Sequence, residues 1–285
     1  MQLKKSYVIF ILILILMGLP IKADAPTMVD WVAELPKPWL IEEQELTDIL
    51  AKFQQQYPNY HKRLKAIALW RIGTPYQIFN LGEEQEPDPD PLFRLDVSDC
   101  TSHILTSLSL AESSNWDEAR NRLIELHYKP DANGMSSPDY KRRWHYTSDR
   151  ILNHPMTPEL TSDYLGEVSY KTAEVTLNEK QDGSEFLALD WSLPVIVNYI
   201  PSDQISDQLL ASLPEFIGVA FVKESYFKMG IITAHEGMLL EGKQILHAGQ
   251  TAKETVLQDF MTYYFTEDGP KFDGIMLYSF VPAKG

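Results

Sequence analysis

Cys100 is the residue with the clearest chemical potential in this chain, and it is the only cysteine among 285 residues. Ser98 and Asp99, just before it, are residue types that cap helices, and apolar residues then recur at helical spacing from 104 to 111. Cys100 is therefore predicted in the first turn of a helix, where unpaired N–H groups and the helix dipole favour a thiolate. The same N–H groups can hold a developing oxyanion. This placement predicts a nucleophile that needs a base; the alternative is an inert, buried small hydrophobe.

Patterns for other hydrolytic chemistry are missing from the sequence. It contains no G-x-S-x-G, no G-x-G-x-x-G and no phosphate-binding loop. His235 and Glu236 begin like the zinc motif H-E-x-x-H, but Leu239 stands where the second histidine belongs. A serine hydrolase or a zinc hydrolase is therefore disfavoured, and we expect neither a metal nor an organic cofactor.

The first 25 residues have the layout of a cleavable secretory signal. Two lysines precede an apolar run from 7 to 21, and Ala23-Asp24-Ala25 has small residues where a signal peptidase reads. The sequence therefore predicts a periplasmic or secreted protein, without membrane insertion after cleavage. A formal charge of -15 gives no generic reason to bind nucleic acid, and a single cysteine excludes a disulfide scaffold. The oligomeric state is left open.

The elements that must position Cys100 fall into a helical first half and a strand-rich second half. Further helices are predicted around 41–53, 64–68, 116–126, 140–153 and 251–265. Strands are predicted at 194–200, 216–222, 229–234, 244–248 and 275–281. Helices followed by neighbouring strands indicate an α+β fold. The acidic, proline-rich segment from Gly82 to Pro91 is expected to be an exposed loop, with a cation site as the less favoured interpretation.

Five motifs resemble, in order, those of the NlpC-type cell-wall cysteine peptidases, and most closely their N-acetylmuramoyl-L-alanine amidase-like branch. They are GTPYQIFNLG (73–82), RLDVSDCTSHI (94–104), YKRRWHYTSD (140–149), MGII (229–232) and ILHAG (245–249). The resemblance implies a papain-like fold, with a helical half packed on an antiparallel sheet, and cleavage of amide bonds in peptidoglycan. The domains expected are a helical cap at 26–70 and a papain-like catalytic-type domain at 71–285.

The resemblance also assigns roles to residues of the site. Cys100 matches the nucleophile, Tyr76 a tyrosine that lines the site, and His247 the polar residue that orients the base. Lys228 stands where the family has its base histidine, two residues before the glycine of its H-V-G-I strand. His235 lies seven residues further along the predicted strand, so it would face the opposite side at a distance of about 23 Å.

Three outcomes follow for the base. His247 or His145 approaches Cys100 directly, or Lys228 serves with a pKa depressed by burial. In the third outcome, hydrolysis is impaired and the protein binds wall peptides as a scaffold or sensor.

Four residues are candidates for substrate binding. Arg142, Arg143 and His145 belong to a basic and aromatic cluster, and an arginine there can clamp a stem-peptide carboxylate, whose two oxygens suit its planar fork. Asp99 adjoins the nucleophile. The function expected is cysteine-dependent hydrolysis of a peptidoglycan amide through a Cys100 thioester, with a muropeptide as partner.

Overall fold

A computed structural model describes residues 27–167 and 169–283, and it has the predicted order of helices followed by an antiparallel sheet. The signal peptide predicted at 1–25 lies outside the described residues. The helices are α1 (Met28–Ala33), α2 (Glu43–Gln56), α3 (Tyr60–Trp70), α4 (Cys100–Ala111), α5 (Trp116–His127), α6 (Thr147–Asn153), α7 (Asp207–Ser212) and α8 (Phe260–Tyr264). Short 3-10 helices occupy Pro38–Leu40, Tyr140–Arg142, Thr161–Glu167, Ser202–Gln204 and Glu224–Met229. The α+β prediction is confirmed.

The larger sheet contains seven strands in the order β1-β2-β9-β3-β4-β5-β6. They are β1 (Lys171–Leu177), β2 (Leu193–Pro201), β3 (Phe216–Val222), β4 (Thr233–Leu240), β5 (Gln244–Gly249), β6 (Glu254–Asp259) and β9 (Gly274–Tyr278). The pairing between every two neighbours is antiparallel. Strands β7 (Phe265–Thr266) and β8 (Gly269–Pro270) form a separate hairpin. Within the described residues, no helix is long and apolar enough to cross a membrane.

Each face of the sheet is buried against helices because apolar residues occupy both sides of its central strands. Met238 and Leu246 lie in the core that contains α2–α5, whereas Leu239 and Ile245 lie in a second core with α7 and α8. Successive side chains of a strand point to opposite faces, so odd and even positions of β4 face different cores. This alternation decides which side each polar residue of β4 reaches.

Helix α4 lies between helices α3 and α5 on one side and strands β4 and β5 on the other, and ten of its twelve residues are buried. Its buried hydroxyls are satisfied within the helix: the Ser107 and Ser109 side chains donate to the carbonyls of His103 and Thr106 at 2.7 and 2.9 Å. A fully covered helix fixes the position of its first residue, Cys100.

Two predicted helices are wrong in part. The helix predicted at 140–153 is a 3-10 turn followed by extended residues, and α6 begins only at 147. The helix predicted at 251–265 contains β6 before α8, because 254–259 pairs with β5 along its whole length. The sequence interpretation also omitted β1.

The strand predicted at 229–234 begins four residues later, at Thr233. Gly230 has a φ of +70°, and a side chain there would approach the backbone of Asn178 and Glu179 to within 2.8 Å. The turn at Gly230 therefore packs against residues 178–179, and β4 begins only after it. The residues of β4 are for this reason shifted from the predicted strand positions.

Candidate active site

Asp99 caps the N-terminus of α4. Asp99 accepts the Ser102 N–H at 2.8 Å, and the Ser102 hydroxyl accepts the Asp99 N–H at 2.8 Å, which completes a capping box. The other Asp99 oxygen accepts the Phe79 N–H at 3.0 Å, so the cap also holds the segment that carries Tyr76. Cys100 is the first helical residue, as predicted. Both oxygens of the Asp99 carboxylate thus accept backbone N–H groups, and the substrate-binding role of Asp99 stays a prediction.

The Cys100 thiol contacts three elements. The backbone amide of Glu236 in β4 hydrogen-bonds the sulfur. Burial raises the pKa values of Tyr76 and Tyr263, and a negative charge on the Cys100 sulfur acts in the same direction, so both tyrosines lie near it. Tyr76 is held beside the helix start because its segment pairs with Ser98, where the Gln77 N–H donates to the Ser98 carbonyl at 3.1 Å. The structure thus brings Tyr76 and Cys100 together.

The thiol is not the ready thiolate that a helix start alone predicts. Burial raises the pKa of Cys100 to about 12, and the carboxylates of Asp99 and Glu236 act in the same direction. The Glu236 amide and Thr101 favour the thiolate but do not compensate. Cys100 therefore holds its proton at neutral pH and needs a base to lose it.

A hydrogen-bonded histidine pair joins β4 and β5, and it begins one residue before the Glu236 amide that contacts the sulfur. His235 Nε2 on β4 is 2.8 Å from His247 Nδ1 on β5, and His247 Nε2 is 2.8 Å from the side-chain nitrogen of Gln258 on β6. Strands β4 and β5 pair only over 238–240 and 244–246, so they separate before they reach these histidines. The gap leaves room for two imidazoles at that end of the sheet.

Both histidines are neutral at physiological pH. Burial lowers the pKa of His247 to about 4, and Lys271 acts in the same direction. Burial and the neighbouring His247 hold the pKa of His235 well below its usual range. The His235 ring stacks on Phe221 with centroids 5.5 Å apart, which fixes its plane. A neutral, oriented imidazole can accept a proton.

The hydrogen bonds of this pair are directional. If the Gln258 amide donates to His247 Nε2, then His247 Nδ1 carries a hydrogen that it donates to His235 Nε2. In that arrangement His235 carries its own hydrogen on Nδ1 and has no free nitrogen for a further proton. His235 can accept a proton on Nδ1 only in the opposite arrangement, in which His235 Nε2–H donates to His247 Nδ1 and His247 Nε2–H donates to the amide oxygen of Gln258 after that amide turns over. Gln258 can serve both states because its amide has a donor end and an acceptor end.

The Glu236 side chain lies on the face of β4 that meets α4, opposite to the face of His235. Its fully buried carboxylate accepts the hydroxyls of Thr101 and Thr147 at 2.9 Å, the Arg150 guanidinium at 2.5 Å and the Tyr278 hydroxyl at 2.7 Å. These donors come from α4, α6 and β9. The network fixes the backbone of β4 against the first turn of α4, where its amide meets the sulfur.

His235, Gln258 and Glu236 are site residues that the sequence interpretation missed. His235 was excluded because the strand was expected to begin at Met229. The structure removes that argument, since β4 begins at Thr233 and the amide following His235 contacts the thiol. A signal for His235 was present, because it stands two residues before Gly237, the same spacing that had pointed to Lys228 before Gly230.

Lys228 lies away from any strand. It belongs to the exposed 3-10 turn Glu224–Met229, and its carbonyl accepts the Gln181 N–H at 2.8 Å. The premise that Lys228 lies on the strand of the base is therefore wrong. Its proposed participation in catalysis has no contact to support it among the described residues.

The predicted basic cluster is used for internal contacts. Arg143 donates to Glu83 at 2.6 and 2.9 Å and to Asp88 at 2.9 Å. Arg142 donates to the carbonyl of Lys129, and His145 bonds the carbonyl of Tyr140 at 2.6 Å. Burial lowers the pKa of His145 to about 4. Substrate binding by Arg142, Arg143 and His145 stays a prediction.

The acidic segment 82–91 is not the fully exposed loop that was expected. Glu83 is only 4% exposed and is paired with Arg143, and the loop closes on itself through the Gly82 N–H to Pro91 carbonyl bond of 3.0 Å. Within the described residues, no group of three or more histidine, cysteine or acidic side chains is placed to hold a metal ion.

Comparisons with solved structures place this architecture among known folds. A Legionella pneumophila protein described by the domain family DUF1460 superimposes with a TM-score of 0.68 at 19% identity, covering 87% of this chain and 98% of its own. A Bacteroides fragilis protein described as a putative xylanase matches with a TM-score of 0.57 at 18% identity, covering 75% of this chain and 99% of its own.

An N-acetylmuramoyl-L-alanine amidase from Bacteroides uniformis matches with a TM-score of 0.56 at 16% identity, covering 76% of this chain and 98% of its own. No curated protein matches the sequence. The sequence does match the AmiA-like family, described as N-acetylmuramoyl-L-alanine amidase-like, over residues 66–270. The match spans most of the chain and includes Cys100, His235 and His247, and so this chain belongs to the AmiA-like family of N-acetylmuramoyl-L-alanine amidase-like proteins.

Proposed function

We propose that this chain is an exported cysteine hydrolase that cleaves an amide of peptidoglycan, with Cys100 as nucleophile, His235 as base and His247 as the residue that orients it. The observation that carries the proposal is the hydrogen-bonded His235–His247 pair, which begins one residue before the amide that contacts the Cys100 sulfur. Family membership supports hydrolysis of a peptidoglycan amide as the class of reaction. The resemblance of the site to a papain-like, NlpC-type arrangement supports the cysteine mechanism.

Proton transfer from Cys100 to His235 starts the reaction. The sulfur attacks the amide carbon, a C–S bond forms, and the carbonyl electrons move to oxygen, which N–H groups at the start of α4 can hold. When the intermediate collapses, the C–N bond breaks and the amine leaves with the proton from His235. Water then gives a proton to His235 and attacks the thioester. Cleavage of the C–S bond releases a carboxylic acid and restores the Cys100 thiol.

The neutral resting state suits this cycle. A thiol with a pKa of about 12 and an imidazole with a depressed pKa do not form a stable ion pair in the free protein. Proton transfer therefore accompanies attack, and it uses the arrangement in which His235 Nδ1 is free, His235 Nε2–H donates to His247 Nδ1 and His247 Nε2–H donates to the Gln258 amide oxygen.

The predicted signal at 1–25 supports export to the periplasm or beyond, where the substrate is found. The family description favours the amide between the muramoyl lactyl group and the first L-alanine of the stem as the bond that is cut.

The raised pKa of Cys100 also favours a second candidate, a catalytically impaired member of the family that binds wall peptides. Incubation of native protein and the variants Cys100→Ala and His235→Ala with muropeptides separates the two. The hydrolase releases peptides with a new amino terminus, and both variants lose this release. Binding of muropeptides without release by the native protein would support the scaffold.

A further inference from the structure

Lys271 lies beside the His235–His247 pair but takes no part in the proposed reaction. Its ammonium lies over the ring of Tyr263, with Nζ 4.2 Å from the ring centroid. The centroid of the Tyr263 ring is in turn 4.5 Å from that of His247 and 6.1 Å from that of His235. A single aromatic ring therefore separates the lysine from the two histidines.

The backbone of Lys271 is held in this place. Its N–H donates to the carbonyl of Tyr264, the last residue of α8, at 2.9 Å, and its carbonyl accepts the Lys223 ammonium at 2.9 Å. The next residue, Phe272, stacks on Phe221 with centroids 4.6 Å apart. The side chain of Lys271 is exposed, but the backbone that carries it is fixed against α8.

Two hydrogen-bond donors at this place are open to a ligand. The Lys271 ammonium makes no salt bridge among the described residues. Within 27–167 and 169–283, no hydrogen-bond partner reaches the Tyr263 hydroxyl either, and this hydroxyl is not sealed in the core. An ammonium and a hydroxyl that both donate suit a negatively charged acceptor such as a carboxylate.

Tyr263 also connects these donors to the nucleophile. Burial raises the pKa of Tyr263, and a negative charge on the Cys100 sulfur acts in the same direction, so the hydroxyl stays protonated and lies near the sulfur. The charge of Lys271 acts on the histidines as well, because it lowers the pKa values of His235 and His247. The two donors therefore belong to the surroundings of the thiol and the proposed base.

A peptide bound at the thiol can reach these donors. An extended peptide advances about 3.3 Å per residue, so a carboxylate on the second residue after the cleaved amide lies up to about 7 Å from it. The Tyr263 ring lies within that distance of both histidine rings, and the Lys271 ammonium lies over this ring. The formal charge of -15 repels anions in general, so a carboxylate here needs a local cation.

We propose that Lys271 and Tyr263 bind a carboxylate of the peptide whose amide is cleaved at Cys100, with the ammonium and the hydroxyl both donating to it. The inference rests on the proposed function and adds a substrate class to it, namely stem peptides with a free carboxylate on the second residue. The ammonium supplies the charge, and the hydroxyl, whose ring is packed against His247, supplies the direction.

Binding is tested apart from hydrolysis in the Cys100→Ala protein. The probes are N-acetylmuramoyl-L-alanyl-D-glutamate and N-acetylmuramoyl-L-alanyl-D-isoglutamine, both with the γ-carboxyl capped as its methylamide. They differ only at the α-carboxyl of the second residue, which is a carboxylate in the first and a neutral amide in the second. Titration calorimetry should show about tenfold tighter binding of the carboxylate, which is the range of a charge-assisted hydrogen bond.

Lys271→Met, combined with Cys100→Ala, should remove this preference, whereas Lys271→Arg should keep most of it because the charge stays. Tyr263→Phe, which keeps the ring under the ammonium, should reduce the preference by about threefold. Lys52→Met, the same loss of charge on the exposed surface of α2, is the matched control and should leave the preference unchanged. Equal binding of the two probes, binding of neither, or a preference unchanged by Lys271→Met or by Tyr263→Phe overturns the inference.

Hydrolysis of both probes by the native protein keeps the two proposals distinguishable. Release from both compounds at equal rates and affinities leaves the hydrolase standing and removes the carboxylate site. A clear preference for the carboxylate without any release keeps the binding site and removes the hydrolase.

Discussion

The proposed catalytic centre and the acidic segment 82–91 bury polar groups by opposite means. Around Cys100, a thiol and two imidazoles are held neutral, because burial shifts every pKa towards the uncharged form. In the acidic segment, Glu83 and Arg143 lie inside the protein as an ion pair in which two guanidinium nitrogens donate to one carboxylate oxygen, with a hydroxyl and a second carboxylate around it. In the first region a proton moves from the thiol to an imidazole only at a cost, which attack on a substrate must offset, whereas the second region holds fixed charges.

The largest expected effect concerns the base. His235→Ala should lower kcat by about 1,000-fold or more, because it removes the proposed base for the Cys100 proton. Lys228→Ala should leave kcat within about twofold, since Lys228 lies on an exposed turn. Steady-state release of amine from a muropeptide measures both. A large loss with Lys228→Ala and none with His235→Ala would reverse the assignment.

In the acidic segment, loss of a charge is expected to lower the stability of the fold. Arg143→Met should lower the free energy of unfolding by about 3–5 kcal/mol, because it leaves the Glu83 carboxylate buried without its cation. Arg142→Met should cost about 1 kcal/mol, since Arg142 donates only to the Lys129 carbonyl. Urea unfolding of the two variants provides the comparison, and equal losses would contradict it.

The neutral region should instead respond to pH. The folded-state pKa of His247 is about 4, below its usual 6.5. Below pH 6.5 the unfolded chain binds protons that the folded protein does not, so stability that is complete above pH 6.5 is lost as the pH falls towards 4. We expect a loss of about 1–2 kcal/mol from His247 between pH 7 and pH 5. Urea midpoints across this range should fall less steeply for His247→Gln than for the native protein.

The smallest effect is expected at Gln258, whose side chain meets only the outer imidazole. Gln258→Ala should lower kcat by about fivefold, the worth of one hydrogen bond, and leave KM nearly unchanged. The pH dependence of kcat should shift as well, because His247 loses the side chain that fixes which of its nitrogens carries the hydrogen. Gln258→Glu, which keeps an acceptor, should retain more activity than Gln258→Ala above pH 6. An unchanged pH profile would limit Gln258 to a packing role.

The features that could be predicted from sequence are those fixed by neighbours along the chain. The cap at Asp99, the start of α4 at Cys100 and the strand Phe216–Val222 follow from residue types within a few positions. The position of His235 depended on one conformation, the left-handed Gly230, which decides where β4 begins. Because the strand was predicted four residues too early, Lys228 was matched to the family's base histidine and His235 was predicted on the opposite face.

Long-range partners were beyond the reach of the sequence. The donors to Glu236 come from positions 101, 147, 150 and 278, and no local pattern joins them. Arg143 was predicted to bind substrate because it lies in a basic cluster of the sequence. In the structure it is buried against Glu83, which lies sixty residues earlier in the chain. The sequence interpretation could place Cys100 at a helix start, whereas the folded chain was needed to place the groups around it.

Strand β9, the last of the chain, lies in the middle of the sheet between β2 and β3. Tyr278 on this strand completes the shell around Glu236, so the site is assembled only after the final residues are in place. Contacts between such distant parts of a chain form slowly and late in folding. For a chain that is exported as proposed, the hydrolase would stay inactive during synthesis and translocation, and its activity would begin with the docking of its C-terminal strand.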